Sequence, residues 1–515
     1  MSNSMFAAIY IGSYEMSLKI FEFSQRKGPK EIDYIRSRME LGKELFDRRS
    51  IGYEMVDEIC LVLNEFKEII NGYRIENYRV CAPSVFRNAE NLLFVLDQIH
   101  LRTGMTVQIL RNSEQRFLSY KAIAGRDTFR KLSESATALV DMGGSSVQVT
   151  LFRENELITT QRMDIGTLRL RELLERPGIT QHHYEQELEE YINKKIEVFH
   201  ALYLKEAVDS IIFVSDYGMQ LLAGFEKDRT KQKEILKTEK FSRYINKLLE
   251  LPLEEITAEL NLAEEKDPLI IPAMLLMRQL LEHLGAGNLW FPGIDISDGM
   301  AYDYAQQNQL VRISRDFDED ILSASRYLCS HYDGFSEHIK ALYDSATMIF
   351  DASRKVHGLD RRSRLLLQVA TILHDCGKYV SFNNSSQCAY RIIMSSEIMG
   401  LSHLERKTVA MTVLYSKEKL PDYESLSTEI DRDTYLLVAK LSAIFRVANA
   451  LDQSHRQKFR NPRITIKDRK MVISVEALED LSLEQMLFAG QTRSFEEIFS
   501  IKPVLKEKRI YKTGR

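Results

Sequence analysis

The sequence predicts an α/β protein: two similar lobes facing each other across a cleft, then an all-α half and a small α+β end. Three observations carry this. Two stretches, FAAIYIGSYEMSLKIFEF (Phe6 to Phe23) and TALVDMGGSSVQVTLFRE (Thr137 to Glu154), share one grammar. In each, an apolar run enters a small-residue turn and an alternating run leaves it, as in a β-hairpin. Apolar residues at helical spacing follow both. From Asp316 onward the pattern becomes almost purely helical.

Taken in order, MVDEICLVLNEFKEIINGY reads as a helix after the first hairpin. YRVCAPSVFRNAENLLFVLDQIHLRTG then reads as a strand, a turn and a helix closed by Gly104. After the second hairpin, LRLRELLERPG and HHYEQELEEYINKKIEVFHALYL read as helices. These segments define lobe I as residues 1–130 and lobe II as 131–308. The stretches SRYLCSHYDGFSEHIKALYDSATMIFDASRKVHG, RRSRLLLQVATILHDCGKYV and DTYLLVAKLSAIFRVANALDQSHR space apolar residues by three and four. They define a helical domain over 309–460. RITIKDRKMVISVEA alternates on either side of a Lys-Asp-Arg-Lys turn, and with SFEEIFSIKPVLKEKR it forms a C-terminal appendix over 461–515.

The 515 residues exceed one hydrophobic core. An apolar content of 44% with 28% charged residues is that of a globular protein. A formal charge of −4 argues against a broad nucleic-acid surface, although a cleft can still be locally positive. No apolar run approaches the ~20 residues of a membrane span, and the N-terminus lacks a signal peptide's pattern. Five scattered cysteines suit reduced thiols, so the expected location is cytoplasmic.

A Gly-Ser hairpin turn can point backbone N–H groups and hydroxyls at an anion, because glycine permits close approach. A Gly-Gly hairpin is by itself only a tight turn; two such turns opening two similar lobes make a phosphate cradle the sharper reading. The candidates are Gly12 and Ser13 in the first turn and Asp141, Gly143, Gly144, Ser145 and Ser146 in the second.

At this point the chain resembles the exopolyphosphatase and guanosine pentaphosphate phosphatase (Ppx/GppA) family over nearly its whole length. AAIYIGSYEMSLKIFEF is similar to the first phosphate loop, and APSVFRNAEN to the helix-leading motif with its arginine, Arg87. VDMGGSSVQVTLF is similar to the second phosphate loop, and LRNSEQRFLSYKAI stands where the family carries its catalytic glutamate. IGTLRLRELL, LHDCGKYVSF, FRVANALDQSHR and SFEEIFSIKPVLK match later family segments. The resemblance implies actin-like (ribonuclease-H-like) lobes, an HD-type helical domain and a homodimer. It also implies Mg²⁺-dependent removal of terminal phosphate from polyphosphate or guanosine penta/tetraphosphate.

The departures bear on chemistry. Tyr10 stands at the first loop's aspartate, Tyr14-Glu15 replace Asn-Ser, Ser145 replaces a glycine and Gln148 replaces a glutamate. Gln115 occupies the catalytic glutamate position, with Glu114 beside it as a possible substitute. Cleaving a phosphoanhydride with water needs a base and, as a rule, Mg²⁺ held by carboxylates. Gln115 can orient a water but cannot take its proton. The expectation is therefore weak or lost hydrolysis, the alternative being a sensor that binds polyphosphate or (p)ppGpp.

In the helical half, His374-Asp375 lies in an apolar run and is followed by Gly-Lys, as in the HD phosphohydrolases that this region resembles. A charged pair on a buried face needs partners or a metal. With His338 and Asp452 it would form an H…HD…D quartet holding one divalent ion such as Mn, Fe or Mg; the alternative is a structural polar cluster. The resemblance places second-metal histidines where Asn383, Ser385, Ser386, Cys388 and Ser416 stand, so one metal at most is expected. A metal-dependent HD phosphohydrolase controlled by the front half is then a second alternative. His455 reads as a residue near a helix end, and His357 as a helix-terminal histidine favoured by the dipole.

Overall fold

The computed structural model describes residues 4–12, 15–24, 28–39, 41, 49–174, 184–204, 207–226, 234–262, 267–311, 315–334, 336–477 and 481–509. Ser13, Tyr14 and the His182-His183 pair lie outside them. The chain divides into two compact units, Met1–Asp316 and Phe317–Arg515.

The first unit contains two sheets of one design. Strands β1 (Met5–Ile11), β2 (Glu15–Ser24), β3 (Gly28–Arg38), β4 (Tyr78–Ala82) and β5 (Val107–Ile109) lie in the order β3-β2-β1-β4-β5. The second sheet holds β6 (Thr137–Met142), β7 (Val147–Arg153), β8 (Glu156–Met163), β9 (Ser210–Val214), β10 (Ile235–Lys237) and β11 (Asn288–Trp290). Their order is β10-β11-β9-β6-β7-β8. In each lobe the first three strands form an antiparallel meander, and the first strand also pairs in parallel with the fourth. The carboxyl ends of β1, β4 and β5 in one lobe, and of β6 and β9 in the other, are where α/β sheets collect ligand groups.

Strand β1 is buried on both faces, which its run of small and branched residues allows. Ala7, Ile9 and Ile11 join a core with the Tyr53–Gly72 and Leu92–Thr103 helices. Gly104 ends the second of these in the left-handed region at φ 71°, its N–H returning to the His100 carbonyl. Phe6 and Ala8 face the opposite way, into a core shared with Leu118, Ile296, Met300, Ala301 and Ala305. The Ile296–Gln307 helix thus follows lobe II in sequence yet covers the sheet of lobe I, beside the Asn112–Ala124 helix. A Cβ on Gly299 would lie 2.5 Å from the backbone of Leu118, so the two helices cross at that glycine. Asp303 fixes the same junction, accepting from Lys121 at 2.7 Å and from Arg79 at 3.0 Å.

The second unit is helical from Phe317 to Ala450, then turns to a small sheet. Asp360, Ser402 and Asp431 cap helices beginning at Arg361, His403 and Arg432, each side chain accepting a backbone N–H of the first turn. Strands β12 (Arg460–Lys467) and β13 (Lys470–Ala477) form the hairpin that the alternation predicts. Asp468 and Arg469 at its tip both have positive φ, 52° and 57°, which fits the twist of a two-residue turn. Strand β14 (Lys502–Arg509) pairs with β13 in parallel. Among the described residues, no helix is long and apolar enough to cross a membrane.

Candidate functional site

The β6–β7 hairpin builds the cradle of lobe II. Gly143 N–H donates to the Ser146 carbonyl at 3.1 Å, closing the turn. The start of the Thr167–Leu174 helix then packs under it: Leu168 and Arg169 N–H groups donate to the Gly144 carbonyl at 2.9 and 3.2 Å. That approach requires Gly166, where a Cβ would lie 2.4 Å from the same carbonyl oxygen. With its carbonyls spent on the helix, the turn keeps donors to offer. The N–H groups of Gly144 and Ser145 make no hydrogen bond among the described residues. Ser145 is exposed and Ser146 buried.

Arg116, which the sequence reading passes over, fills the space between this hairpin and the Asn112–Ala124 helix. Its Nη1 donates to Gln148 Oε1 at 2.9 Å and its Nη2 to Ser146 Oγ at 2.9 Å, while Nε stands 3.6 Å from Asp141 Oδ2. Its side chain is 11% exposed. Asp141, Ser146 and Gln148 therefore converge on a guanidinium. A charged residue one position past Gln115, on a helix whose residues Leu118 to Ala124 are all buried, is the signal that could have found it.

The remaining cleft candidates are dispersed along the strand ends. Glu114 does not stand in for the base: its carboxylate accepts the Arg111 N–H at 2.7 Å, capping its own helix. Gln115 is half-buried and its side chain makes no hydrogen bond among the described residues. The Gly12 N–H is spent on the Glu15 carbonyl at 2.8 Å, so this amide offers nothing to an anion. Arg87 is exposed and donates to the Ile109 carbonyl at 3.1 Å, at the carboxyl end of β5. Mg²⁺ does not fit this donor set. Of the positions where the resemblance implies acids, Tyr10, Gln115 and Gln148 carry none, and Asp141 faces Arg116.

In the second unit, His338, His374, Asp375 and Asp452 are all buried and lie together. His338, His374 and Asp375 each offer a ligand atom within 4.8 Å of the others. His374 caps the end of the Arg361–Leu373 helix, and its Nδ1–H donates to the Thr371 carbonyl at 2.8 Å. Since a carbonyl only accepts, Nε2 of the neutral ring carries a lone pair, and it stands 3.0 Å from Asp375 Oδ1. Burial holds His374 below the ordinary histidine value of 6.5, favouring that neutral ring. With the ring neutral two acceptors stand close there, and a proton on Nε2 or a metal ion between them relieves the contact. A separation near 3 Å is what adjacent ligands about 2.1 Å from one metal ion adopt.

Asp452 takes a different part from the one expected. Its Oδ2 accepts His338 Nδ1–H at 2.9 Å and Gln457 Nε2–H at 2.9 Å, and its Oδ1 accepts the Gln457 N–H at 2.8 Å. Both of its oxygens are thus taken by these donors, and Asp452 is not among the three residues whose ligand atoms converge. Burial acts to raise its pKa, but the bonds from His338 and Gln457 outweigh this and hold it low. For Asp375, burial is likewise outweighed, here by His374 and by Lys378 Nζ at 2.8 Å. Neither Asp375 oxygen has a hydrogen bond of good geometry despite those neighbours, so the carboxylate keeps capacity for a metal. The donor set fits one divalent ion.

His455 stacks on His338 with ring centroids 3.8 Å apart and planes within 6°, so it belongs to the site rather than to a helix end alone. His357 is a buried neutral histidine, donating through Nε2 to the Phe350 carbonyl and accepting the Leu359 N–H, and burial lowers its pKa. Where the resemblance implies second-metal histidines, Ser385 accepts from Lys417 Nζ, Ser386 donates to Glu418 and Ser416 donates to the Val413 carbonyl.

Paired sheets of one topology with a turn cradle at the strand ends define an actin-like fold of the Ppx/GppA kind. Residues 24–308 match the model of the Ppx/GppA phosphatase family, and residues 326–490 match that of Ppx/GppA phosphatase, domain III. The chain belongs to the Ppx/GppA phosphatase family. A guanosine-5'-triphosphate,3'-diphosphate pyrophosphatase of Vibrio atlanticus is 19% identical over 441 residues, covering 83% of this chain and 84% of that protein. The Ppx/GppA family member of Aquifex aeolicus is 18% identical with a TM-score of 0.51, covering 59% of this chain and 98% of its own. An exopolyphosphatase from Cytophaga hutchinsonii is 17% identical with a TM-score of 0.50, covering 61% of this chain and all of its own.

Proposed function

We propose that the cleft of the first unit binds a phosphoanhydride polyanion, polyphosphate or guanosine penta/tetraphosphate, and hydrolyses it weakly or not at all. The observation that carries this reading is the Arg116 guanidinium seated on Ser146, Gln148 and Asp141, with Gln115 beside it where a carboxylate base is needed. The open N–H groups of Gly144 and Ser145 and the exposed Arg87 supply donors for phosphate oxygens, while among the described residues Gln115 stands where a base is needed and the Asp141 carboxylate is paired with Arg116. The Vibrio relative's name supports a guanosine nucleotide, and the Cytophaga exopolyphosphatase supports polyphosphate. Phosphate release from each ligand, measured beside a calorimetric titration, tests the reading. Binding without turnover is expected; brisk release by the wild-type protein would overturn it.

A second reading rests on a separate observation, the unprotonated His374 Nε2 standing 3.0 Å from Asp375 Oδ1. In it the second unit is an HD-type domain in which His338, His374 and Asp375 hold one divalent metal, with Asp452 and Gln457 orienting His338. Such an ion would supply Lewis acidity toward a phosphoryl oxygen. Lys378 is placed to hold an anionic oxygen beside Asp375. Elemental analysis of the purified chain, and of the Asp375→Ala variant, tests this reading. The domain boundaries near 130, 308 and 460, a cytoplasmic location and a homodimer belong to the same proposal.

A further inference from the structure

We infer that Arg116 takes the place of a divalent cation in the cleft, so that this site binds its phosphate polyanion without metal. The inference rests on the polyanion-binding reading above and states how that binding is achieved. Its basis is a mismatch between the donor set and the metal that the family's chemistry calls for. Three groups able to approach a hydrated cation converge between the hairpin and the Asn112–Ala124 helix: the Asp141 carboxylate, the Ser146 hydroxyl and the Gln148 amide oxygen. A guanidinium already holds all three. A second positive ion at that point would meet a permanent cation that cannot lose its proton.

The same geometry makes Arg116 a receptor rather than a plug. Guanidinium carries five N–H donors, and the bonds to Gln148 and Ser146 leave at least one on Nη1 uncommitted. Among the described residues two of its partners are neutral, and its acidic neighbour Asp141 stands 3.6 Å away, within ion-pair range but too far for a good hydrogen bond. The positive charge is thus held in position, paired with a carboxylate at one side only, and its uncommitted Nη1 donor remains for a further acceptor. It lies at the hairpin whose Gly144 and Ser145 N–H groups are open, and the side chain is nearly enclosed, which limits screening by water. A phosphate oxygen at this place meets fixed donors and a fixed charge.

The test titrates the full chain with tripolyphosphate and with guanosine tetraphosphate, each in excess EDTA and in millimolar Mg²⁺. The wild-type protein is expected to bind in EDTA within about threefold of its affinity in Mg²⁺. Arg116→Ala should lose about 10- to 100-fold in EDTA, the usual loss for a charged hydrogen-bond partner. Arg116→Lys keeps the charge without the fork, serves as the folding control, and should lose less. Binding by the wild-type chain that appears only with Mg²⁺ overturns this inference and leaves the polyanion reading standing. Unchanged EDTA binding by a folded Arg116→Ala variant overturns it as well. An absence of binding in both buffers removes the polyanion reading itself.

Discussion

In the β6–β7 hairpin a carboxylate, an amide and a hydroxyl gather around a guanidinium that belongs to the chain. In the helical unit two imidazoles and a carboxylate offer ligand atoms within 4.8 Å of one another, with Lys378 at one side. Both clusters are largely buried and both bring together groups able to approach a cation. They differ in where the balancing charge comes from. One carries it as a side chain and is closed to metal; the other leaves it to be supplied, as an ion or as a proton.

The largest expected effect tests the closed site. Replacing Gln115 and Gln148 by Glu while changing Arg116 to Ala restores a base, restores an acid and removes the internal cation. Phosphate release in Mg²⁺ should rise by on the order of 10² from the wild-type baseline, the lower range of a general-base contribution. Gln115→Glu alone should give little, because Arg116 remains seated on Ser146 and Gln148. An equal rise from the single change would show that Arg116 does not govern the site.

Next in size is the open site. Asp452→Asn keeps the shape of the side chain but weakens its hold on His338, and metal affinity should fall by roughly 10- to 100-fold, as for other orienting partners of ligand histidines. Metal-buffered titrations measure this. An unchanged affinity would return His338 to scaffold. Polyanion binding in the cleft should be the same in this variant.

Gly299→Ala should act the other way round. The added methyl group meets the Leu118 backbone and drives apart the two helices on lobe I, at a cost of about 1–3 kcal/mol in thermal unfolding. Since one of those helices carries Gln115 and Arg116, tripolyphosphate binding should weaken while metal content stays constant.

The smallest effect is in pH. Burial lowers the folded-state pKa of His374 below 6.5, so the metal-free folded state binds this proton less readily than the unfolded chain does. The resulting stability is present above about pH 6.5 and is lost as pH falls through the folded value. Metal-free protein should therefore lose melting temperature between pH 7 and pH 5, and His374→Gln should flatten that slope. Equal slopes would place the acid sensitivity elsewhere.

Much of the scaffold is legible in the residues, because burial imposes periods. Alternation around the Gly-Ser turn and the Gly-Gly-Ser turn marks both hairpins, and Gly104 marks its helix end. The loci are legible too: Asp141, Ser146 and Gln148 do meet, and so do His338, His374 and Asp375. Roles are less so. Whether Asp452 is a ligand or an orienting group depends on which ring nitrogen of His338 it meets, and that is a matter of angles between helices. Glu114 looks like a spare base until its carboxylate is seen returning to the Arg111 N–H. Arg116 is missed because an arginine in a helix is ordinarily read as a solvated surface charge, and only the approach of the hairpin buries it.

The Ile296–Gln307 helix has a consequence for how the protein is made. Phe6 and Phe21 leave the ribosome early, yet the residues that cover them, Ile296, Met300, Ala301 and Ala305, come close to the end of the first unit. At ~5–20 residues per second, that face of lobe I waits roughly 15 to 60 seconds for its lid. Each uncovered large side chain forgoes about 1.5–3 kcal/mol in the interval. The lobe translated first is the one completed last, and a nascent chain stalled before residue 296 presents an apolar sheet face to chaperones.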